Sequence, residues 1–471
     1  METPPLTRGV HCNRTLNIGA IKALGYDMDY TLVDYNAARW ERKAYKYLKA
    51  KLLARGWPVE SLEFNPSLVI RGLVIDKELG NALKVNRFGY VKKAFHGTRP
   101  LDFHEQRRAY SRIIVDLTEK RYAMMTTMFS LSECCMYLQM VDLLDAENLS
   151  ERIDYLDLYS IVRSDLDSTH LEGLLKEEVL QHPERFVDLD ADTIQTLLDQ
   201  KRAGKRLLLI TNSDWPYTRD IMNYTFNRLL PKGTTWRDLF ELTIVSAQKP
   251  AFFSRHHPLF EVVSEEGLLS PCIGPPTRPG IYLGGHADLV EEYLSLSGDE
   301  ILFIGDHIYS DIHISKDIQR WRTALILRDL ESDIEAVEAF RAQQTALTDL
   351  MKEKEQLEFQ WYQARLQQQR SAAEEPQTDS KRGAKNPDRS ADEIRNKLSH
   401  LDDKIAPLAK AAAQLNNENW GLLMRAGNDK SLLAHQMEMH ADIYTSRVSN
   451  FLFQTPFAFL RSNPGHLPHE V

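Results

Sequence analysis

The sequence predicts an α/β fold built on a parallel sheet, with a long, mostly helical insertion and a helical hairpin projecting from the core. Three observations predict it. Short apolar runs recur along the chain, helical stretches separate most of them, and a charged helical region changes the composition after residue 330. The runs are IKALGYD (21–27), RLLLITN (206–212), LTIVSA (242–247) and ILFIGD (301–306), with TALIL (323–327) as a fifth. Unbroken apolar runs of this length suit strands buried on both faces. Their alternation with helices calls for right-handed crossovers and a ligand site at the carboxyl ends of the strands. Three runs stop on polar or acidic residues, at Asp27, Thr211-Asn212 and Asp306.

The order of elements divides the chain. Residues 15–40 and 200–330 hold the core runs. The stretch between the first and second runs is far longer than one crossover needs, so 41–199 reads as an inserted cap or substrate-specificity region, with helices expected around 37–55, 104–124, 130–145 and 171–200. Residues 331–416 form the hairpin, and its tip, about 371–391, has the composition of a disordered loop. The segment 417–471 contains FLFQTPFAFL, too apolar to stay exposed. It is expected to pack on the body or at a subunit contact, which makes a homo-oligomer, dimer or tetramer, the expected state.

Composition narrows the function classes. At 471 residues the chain exceeds the ~250–300 at which one core stops growing. A formal net charge of -9 provides no global basic field for nucleic acid, so an anionic substrate needs locally placed positive charge. Cys12, Cys134, Cys135 and Cys272 show no CxxC spacing, and neither a zinc site nor a disulfide framework is suggested. The start lacks the apolar core of a signal peptide and no run suits a membrane span. A soluble, cytoplasmic protein without membrane partners is expected.

The strongest chemical signal is Asp27-Met28-Asp29-Tyr30-Thr31-Leu32, directly after a strand. Side chains two apart on an extended chain point the same way, so Asp27 and Asp29 can share a cleft. One can attack phosphorus while the other protonates the leaving oxygen and later deprotonates water. An acidic turn would read the same in isolation. Attack on a phosphate dianion also requires a cation and fixed donors. In Gly305-Asp306-His307-Ile308-Tyr309-Ser310-Asp311, Asp306 follows a strand and Asp311 comes about a turn later. An oxygen-only set suits Mg²⁺, with Asp306 as direct ligand and Asp311 in the outer shell. Thr211-Asn212-Ser213-Asp214 offers a hydroxyl and backbone N–H groups for phosphoryl oxygens, and Lys249 adds a positive charge after another strand.

Nucleophile pair, hydroxyl, lysine and acidic pair, each at a strand end and in that order, resemble the haloacid dehalogenase superfamily of phosphotransferases. The resemblance implies a Rossmann-like core, Asp27 as nucleophile, Asp29 as acid/base, and Mg²⁺ held by Asp27 and the Asp29 backbone carbonyl as well as Asp306 and Asp311. Over about 15–330 and again in the C-terminal stretch, the strings IKALGYDMDYTLVDY, ITNSDWPYT, AQKPAFF and ILFIGDHIYSDI resemble the cytosolic purine 5′-nucleotidases, which prefer inosine and guanosine monophosphates. That resemblance implies hydrolysis of purine nucleoside 5′-monophosphates, with phosphoryl transfer to nucleoside acceptors as a second outcome.

The same resemblance carries substrate roles to Arg163, Asp167, His170 and Lys176 in SIVRSDLDSTHLEGLLK, to Phe129 as a stacking aromatic, and to Ser213 and Asp214 near phosphate and ribose. Ser130 stands where eukaryotic relatives carry asparagine. Asp317 replaces a basic residue of the family's effector site. Two alternatives stay open at this stage: a phosphatase for a sugar phosphate or phosphoprotein, and a non-catalytic nucleotide-binding scaffold.

Overall fold

The computed structural model describes residues 4–149, 151–171, 173–374 and 387–465, the side chains of 168–171, 371–374 and 387–391 excepted. All five expected runs are strands: Ala23–Tyr26, Arg206–Ile210, Leu242–Val245, Ile301–Gly305 and Arg322–Ile326. They run parallel at the centre of a ten-stranded sheet, with Ala23–Tyr26 between Ile301–Gly305 and Arg206–Ile210. Alternate side chains feed two separate cores. Leu24, Tyr26, Leu207, Leu209, Leu302 and Ile304 enter one; Ala23, Leu208, Ile210, Ile301 and Phe303 enter the other, beside Trp321 and Phe252. Burial of both faces is the reason these strands read as unbroken apolar runs.

Five further strands complete the sheet. Gly280–Gly284 lies parallel beside Leu242–Val245, and Ile443–Thr445 parallel beside Arg322–Ile326. Val10–Cys12, Leu259–Val262 and Leu269–Pro271 pair antiparallel at the margins. These short segments mix polar and apolar residues, because edge strands need not bury both faces.

Helices predominate in the insertion, and Ala37–Ala54, Leu131–Asp145 and Tyr155–Leu171 pack on one another. It also contains a five-stranded antiparallel sheet that the apolar runs do not announce, made of Val74–Asp76, Asn81–Val85, Val91–His96, Arg99–Pro100 and Tyr122–Met124. The helix expected over 104–124 is shorter, Phe103–Tyr110, started by an Asp102–Glu105 capping box. Downstream, Asp116 accepts the Thr118 N–H at 2.9 Å, a local turn that competes with helix.

A separate unit spans Ser332–Leu422. Within it the helices Arg341–Glu374 and Pro387–Ala413 pack together, with Leu401 and Ile405 buried and Lys354 2.6 Å from Asp402. Residues 375–386, the centre of the expected tip, lie outside the described residues. Among the described residues no helix is long and apolar enough to cross a membrane.

One ionic knot fixes the flank of the large sheet. The buried Asp442 carboxylate accepts from Lys316 Nζ at 2.5 Å, Arg322 Nε at 3.0 Å and the Thr323 N–H at 3.0 Å. Removing a buried carboxylate strands its cations. Asp442→Ala is expected to lower unfolding free energy by about 3 kcal/mol, measured by urea denaturation.

Candidate active site

Three neighbouring strands end at the same level. Tyr26 pairs with both Leu209 and Ile304, so Asp27, one residue on, and Thr211 and Asp306, two residues on, emerge together at the carboxyl edge. The Asp27 N–H donates to the Ile304 carbonyl and the Thr211 N–H to that of Ile244, at 2.8 and 2.9 Å. Asp311 is brought back by a wide π-type turn, Ile308–His313, whose first N–H groups, those of Tyr309 and Ser310, donate to His307 Nδ1 at 3.2 Å. Gly305 permits this return: a Cβ there would lie 2.6 Å from the Asp311 side chain.

One carboxylate oxygen from each of Asp27, Asp306 and Asp311 lies within 4.8 Å of the others, and all three residues are buried. Lys249 sits among them, its Nζ 2.7 Å from both Asp27 Oδ1 and Asp311 Oδ1. Burial alone would lower the lysine's pKa, but the two carboxylates outweigh it and raise the value. Burial pushes the Asp27 carboxyl up to about 7 against the pull of Lys249. Burial, then Asp311 and Asp27, drive Asp306 well above its ordinary range. Asp306 Oδ2 is buried without a hydrogen-bond partner among the described residues. Crowded, penalised carboxylates with an orphaned oxygen and no nitrogen or sulfur donor fit a hard divalent cation.

Asp27 and Asp29 occupy different surroundings. Asp27 Oδ1 accepts from the Met28 N–H at 2.8 Å in addition to facing Lys249. Asp29 accepts from Tyr35 Oη and Ser213 Oγ, each at 2.7 Å. Tyr35 Oη lies 2.8 Å from Tyr217 Oη. Burial first, then the charge of Asp29, lifts the pKa of both phenols well above the ordinary value, so they stay protonated. Neither tyrosine was singled out in the sequence, although both lie within the quoted strings DMDYTLVDY and NSDWPYT.

The remaining expected residues are placed as follows. Asn212 brackets Lys249, accepting its N–H at 2.6 Å and donating to its carbonyl at 3.0 Å. Ser213 accepts from Lys176 Nζ at 2.9 Å, which links the insertion to the acid/base candidate. Asp214 Oδ1 caps the helix Trp215–Met222 by accepting the Tyr217 N–H. Phe129 packs edge-on against Tyr30 and Trp40, at 4.6 and 5.2 Å between centroids. Ser130 is buried and donates to the Thr127 carbonyl. Arg163 bridges Asp167 at 3.1 Å and Glu133 at 2.7 Å. The side chain of His170 lies outside the described residues.

Glu133 and the neighbouring Glu41 were missed. Each is a buried acid of its helix, and neither stands in a motif that marks it. Arg71, buried and paired with Asp329, also places positive charge near Asp306; no motif marks it. A cavity of about 930 Å³ lies beside the 308–313 turn, lined by Ile114, Tyr122, His307, Tyr309 and His440. None of the three clustered carboxylates lines it. Asp317 is 2.9 Å from His313 there.

Burial pushes the Glu41 carboxyl up to about 8 from 4.5, opposed by the Ser132 N–H and reinforced by Glu133. A raised folded-state pKa means stability is lost as pH rises from 4.5 through about 8. Glu41→Gln keeps the shape and removes the charge. It is expected to match the parent near pH 4.5 and to exceed it increasingly above, by on the order of 3 kcal/mol once Glu41 ionises in the parent. Denaturation at a series of pH values checks this.

A 5′-nucleotidase domain-containing protein of Dictyostelium discoideum is 25% identical over 475 residues, covering 98% of this chain and 74% of its own length. Among solved structures, a haloacid dehalogenase-like family hydrolase from Xanthomonas campestris matches at 16% identity over 69% of this chain and 98% of its own, with a TM-score of 0.26. A predicted phosphoglycolate phosphatase from Haemophilus somnus matches at 13% over 65% and 85%, with a TM-score of 0.29. The sequence pattern of the 5′ nucleotidase family covers residues 10–471, and the chain therefore belongs to that family of phosphoric monoester hydrolases.

Proposed function

We propose that the protein hydrolyses purine nucleoside 5′-monophosphates, inosine and guanosine monophosphates foremost, through a phosphoaspartate on Asp27. The observation that carries this reading is the buried cluster of Asp27, Asp306 and Asp311 around Lys249 at adjoining strand ends. With Asp27 Oδ1 turned to Lys249 and the Met28 N–H, Oδ2 is the oxygen left to attack phosphorus. The P–O ester bond breaks as the new bond forms, and the leaving oxygen takes a proton from Asp29, which Ser213 and Tyr35 orient. Asp29 then removes a proton from water, the hydroxide displaces Asp27 from phosphorus, and phosphate leaves. A nucleoside 5′-hydroxyl in place of water gives phosphoryl transfer instead. Asp27, Asp306 and Asp311 would hold Mg²⁺, which supplies charge neutralisation for the phosphoryl oxygens. Lys249 favours the ionised form of the nucleophile and holds it in place.

For base selection, Asp167 and Arg163 offer an acceptor and a donor on one helix face, and Phe129 an aromatic surface. Phosphate release from inosine, guanosine, adenosine and cytidine monophosphates and from a small generic phosphate ester tests the reading. Purine monophosphates are expected to turn over fastest, with activity lost on chelation and restored by Mg²⁺. Equal rates on all esters refute the purine assignment. Asp27→Asn is expected to abolish turnover while circular dichroism shows the parental fold. Asp167→Ala is expected to lose more on purine monophosphates than on the generic ester, and parallel losses would remove it from base recognition.

A further inference from the structure

Away from the strand-end carboxylates, two loops bring nitrogen donors together. Arg255-His256-His257-Pro258 follows the short helix Ala251–Ser254, which begins two residues after Lys249. The other loop, Gly284-Gly285-His286-Ala287-Asp288, follows the strand Gly280–Gly284. The two are locked together by backbone. The Gly285 N–H donates to the Pro258 carbonyl at 2.9 Å. Gly284 and Gly285 adopt φ of 75° and 74°, and a Cβ on them would lie 2.9 Å from Pro258 O and 2.7 Å from Leu259 Cδ1. Only glycine permits this approach.

His256 Nε2 then lies 2.9 Å from Asp288 Oδ2, and His286 Nδ1 lies 3.6 Å from the same oxygen. One ligand atom from each of the three residues lies within 4.8 Å of the others. His286 Nδ1 is buried without a hydrogen-bond partner among the described residues, and so is Nε2 of the adjacent His257. His256 and Asp288 are open to solvent, so an ion can reach the group. His286 precedes the helix Ala287–Leu294 but makes no side-chain capping bond; its ring packs edge-to-face on that of His256, 4.4 Å between centroids.

We infer that His256, His286 and Asp288 form a binding site for a borderline divalent metal ion of the Zn²⁺ class. Two imidazoles and a carboxylate, with a fourth position for water or His257, match the ligand number and donor type of Zn²⁺. They do not match Mg²⁺, which the oxygen-only carboxylates favour. The two sites therefore sort ions by donor chemistry. Zinc at the histidine site clamps 255–258 onto 284–288 and braces the segment that runs from Lys249. A second cluster, His313, Asp317 and His440, is the weaker candidate. Among the described residues neither of its imidazoles carries a buried nitrogen without a hydrogen-bond partner, whereas His286 does.

The test is a zinc titration of the tag-free full chain against a chromogenic chelator in excess Mg²⁺. One Zn²⁺ per chain is expected, with affinity reduced at least about 100-fold in His256→Gln and in His286→Gln, the most that loss of even an outer-shell partner usually costs a metal site. Both variants are expected to hydrolyse nucleotide in Mg²⁺ like the parent and, without zinc, to melt at the parental temperature. Zinc is expected to raise the melting temperature of the parent alone. His440→Gln is expected to bind zinc as the parent does. Absence of zinc binding in the parent, undiminished binding in both His256→Gln and His286→Gln, or loss confined to His440→Gln overturns the assignment.

Discussion

Mutual repulsion among three buried carboxylates is the constraint around which this molecule is built. Two unit charges about 4 Å apart interact by about 4 kcal/mol at the effective dielectric of a protein surface, and Asp27, Asp306 and Asp311 are crowded to comparable distances with little water. A single lysine ammonium at 2.7 Å from two of them offsets part of that repulsion. Burial first, and the remaining repulsion after it, raise the affinity of Asp27 and Asp306 for protons. Such a group survives only on a scaffold too rigid to relax it, and strands buried between two cores supply that rigidity.

The same scaffold separates two aspartates that are only two residues apart. Asp27 faces ammonium and the other carboxylates, whereas Asp29 is held by hydroxyls from Tyr35 and Ser213. Different neighbours let one fold run nucleophilic and proton-transfer roles on a pair of identical side chains. Left-handed backbone at Tyr30, Ser246 and Gln248, with φ of 54°, 48° and 60°, falls in the loops that follow these strand ends. Backbone of this kind is uncommon for residues with a Cβ and concentrates at working sites.

What could be read from the sequence follows from burial. Strands covered on both faces, such as Leu207–Ile210 and Ile301–Ile304, are apolar without interruption and announce themselves. The strands of the insertion, such as Val91–His96 with its two lysines and Asn81–Val85 with a buried asparagine and lysine, do not. Asp27, Lys249, Asp306 and Asp311 were legible because each follows a recognisable run, and the fold brings these four together. The hydroxyls of Tyr35 and Tyr217, the acids Glu41 and Glu133, and Arg71 were not, because their partners come from elements distant in the chain. The histidine loops escaped for another reason: cysteine spacing marks thiolate sites, whereas His256 and His286 belong to loops that a backbone contact between Gly285 and Pro258 brings together.

The sheet closes through partners far apart in the chain. Val10–Cys12 pairs with Ile443–Thr445, which also lies along Arg322–Ile326. A chain emerging from the ribosome therefore makes its marginal strand at residue 10 long before that strand has anywhere to dock. Until Asp442 and its following strand arrive, the 322–326 strand presents an unpaired edge, the kind of surface that recruits other chains. Late closure of this sort slows folding through the loop entropy it must overcome, so the catalytic strands mature last on the flank nearest Asp306, and protection of that open edge during synthesis becomes a requirement set by topology alone.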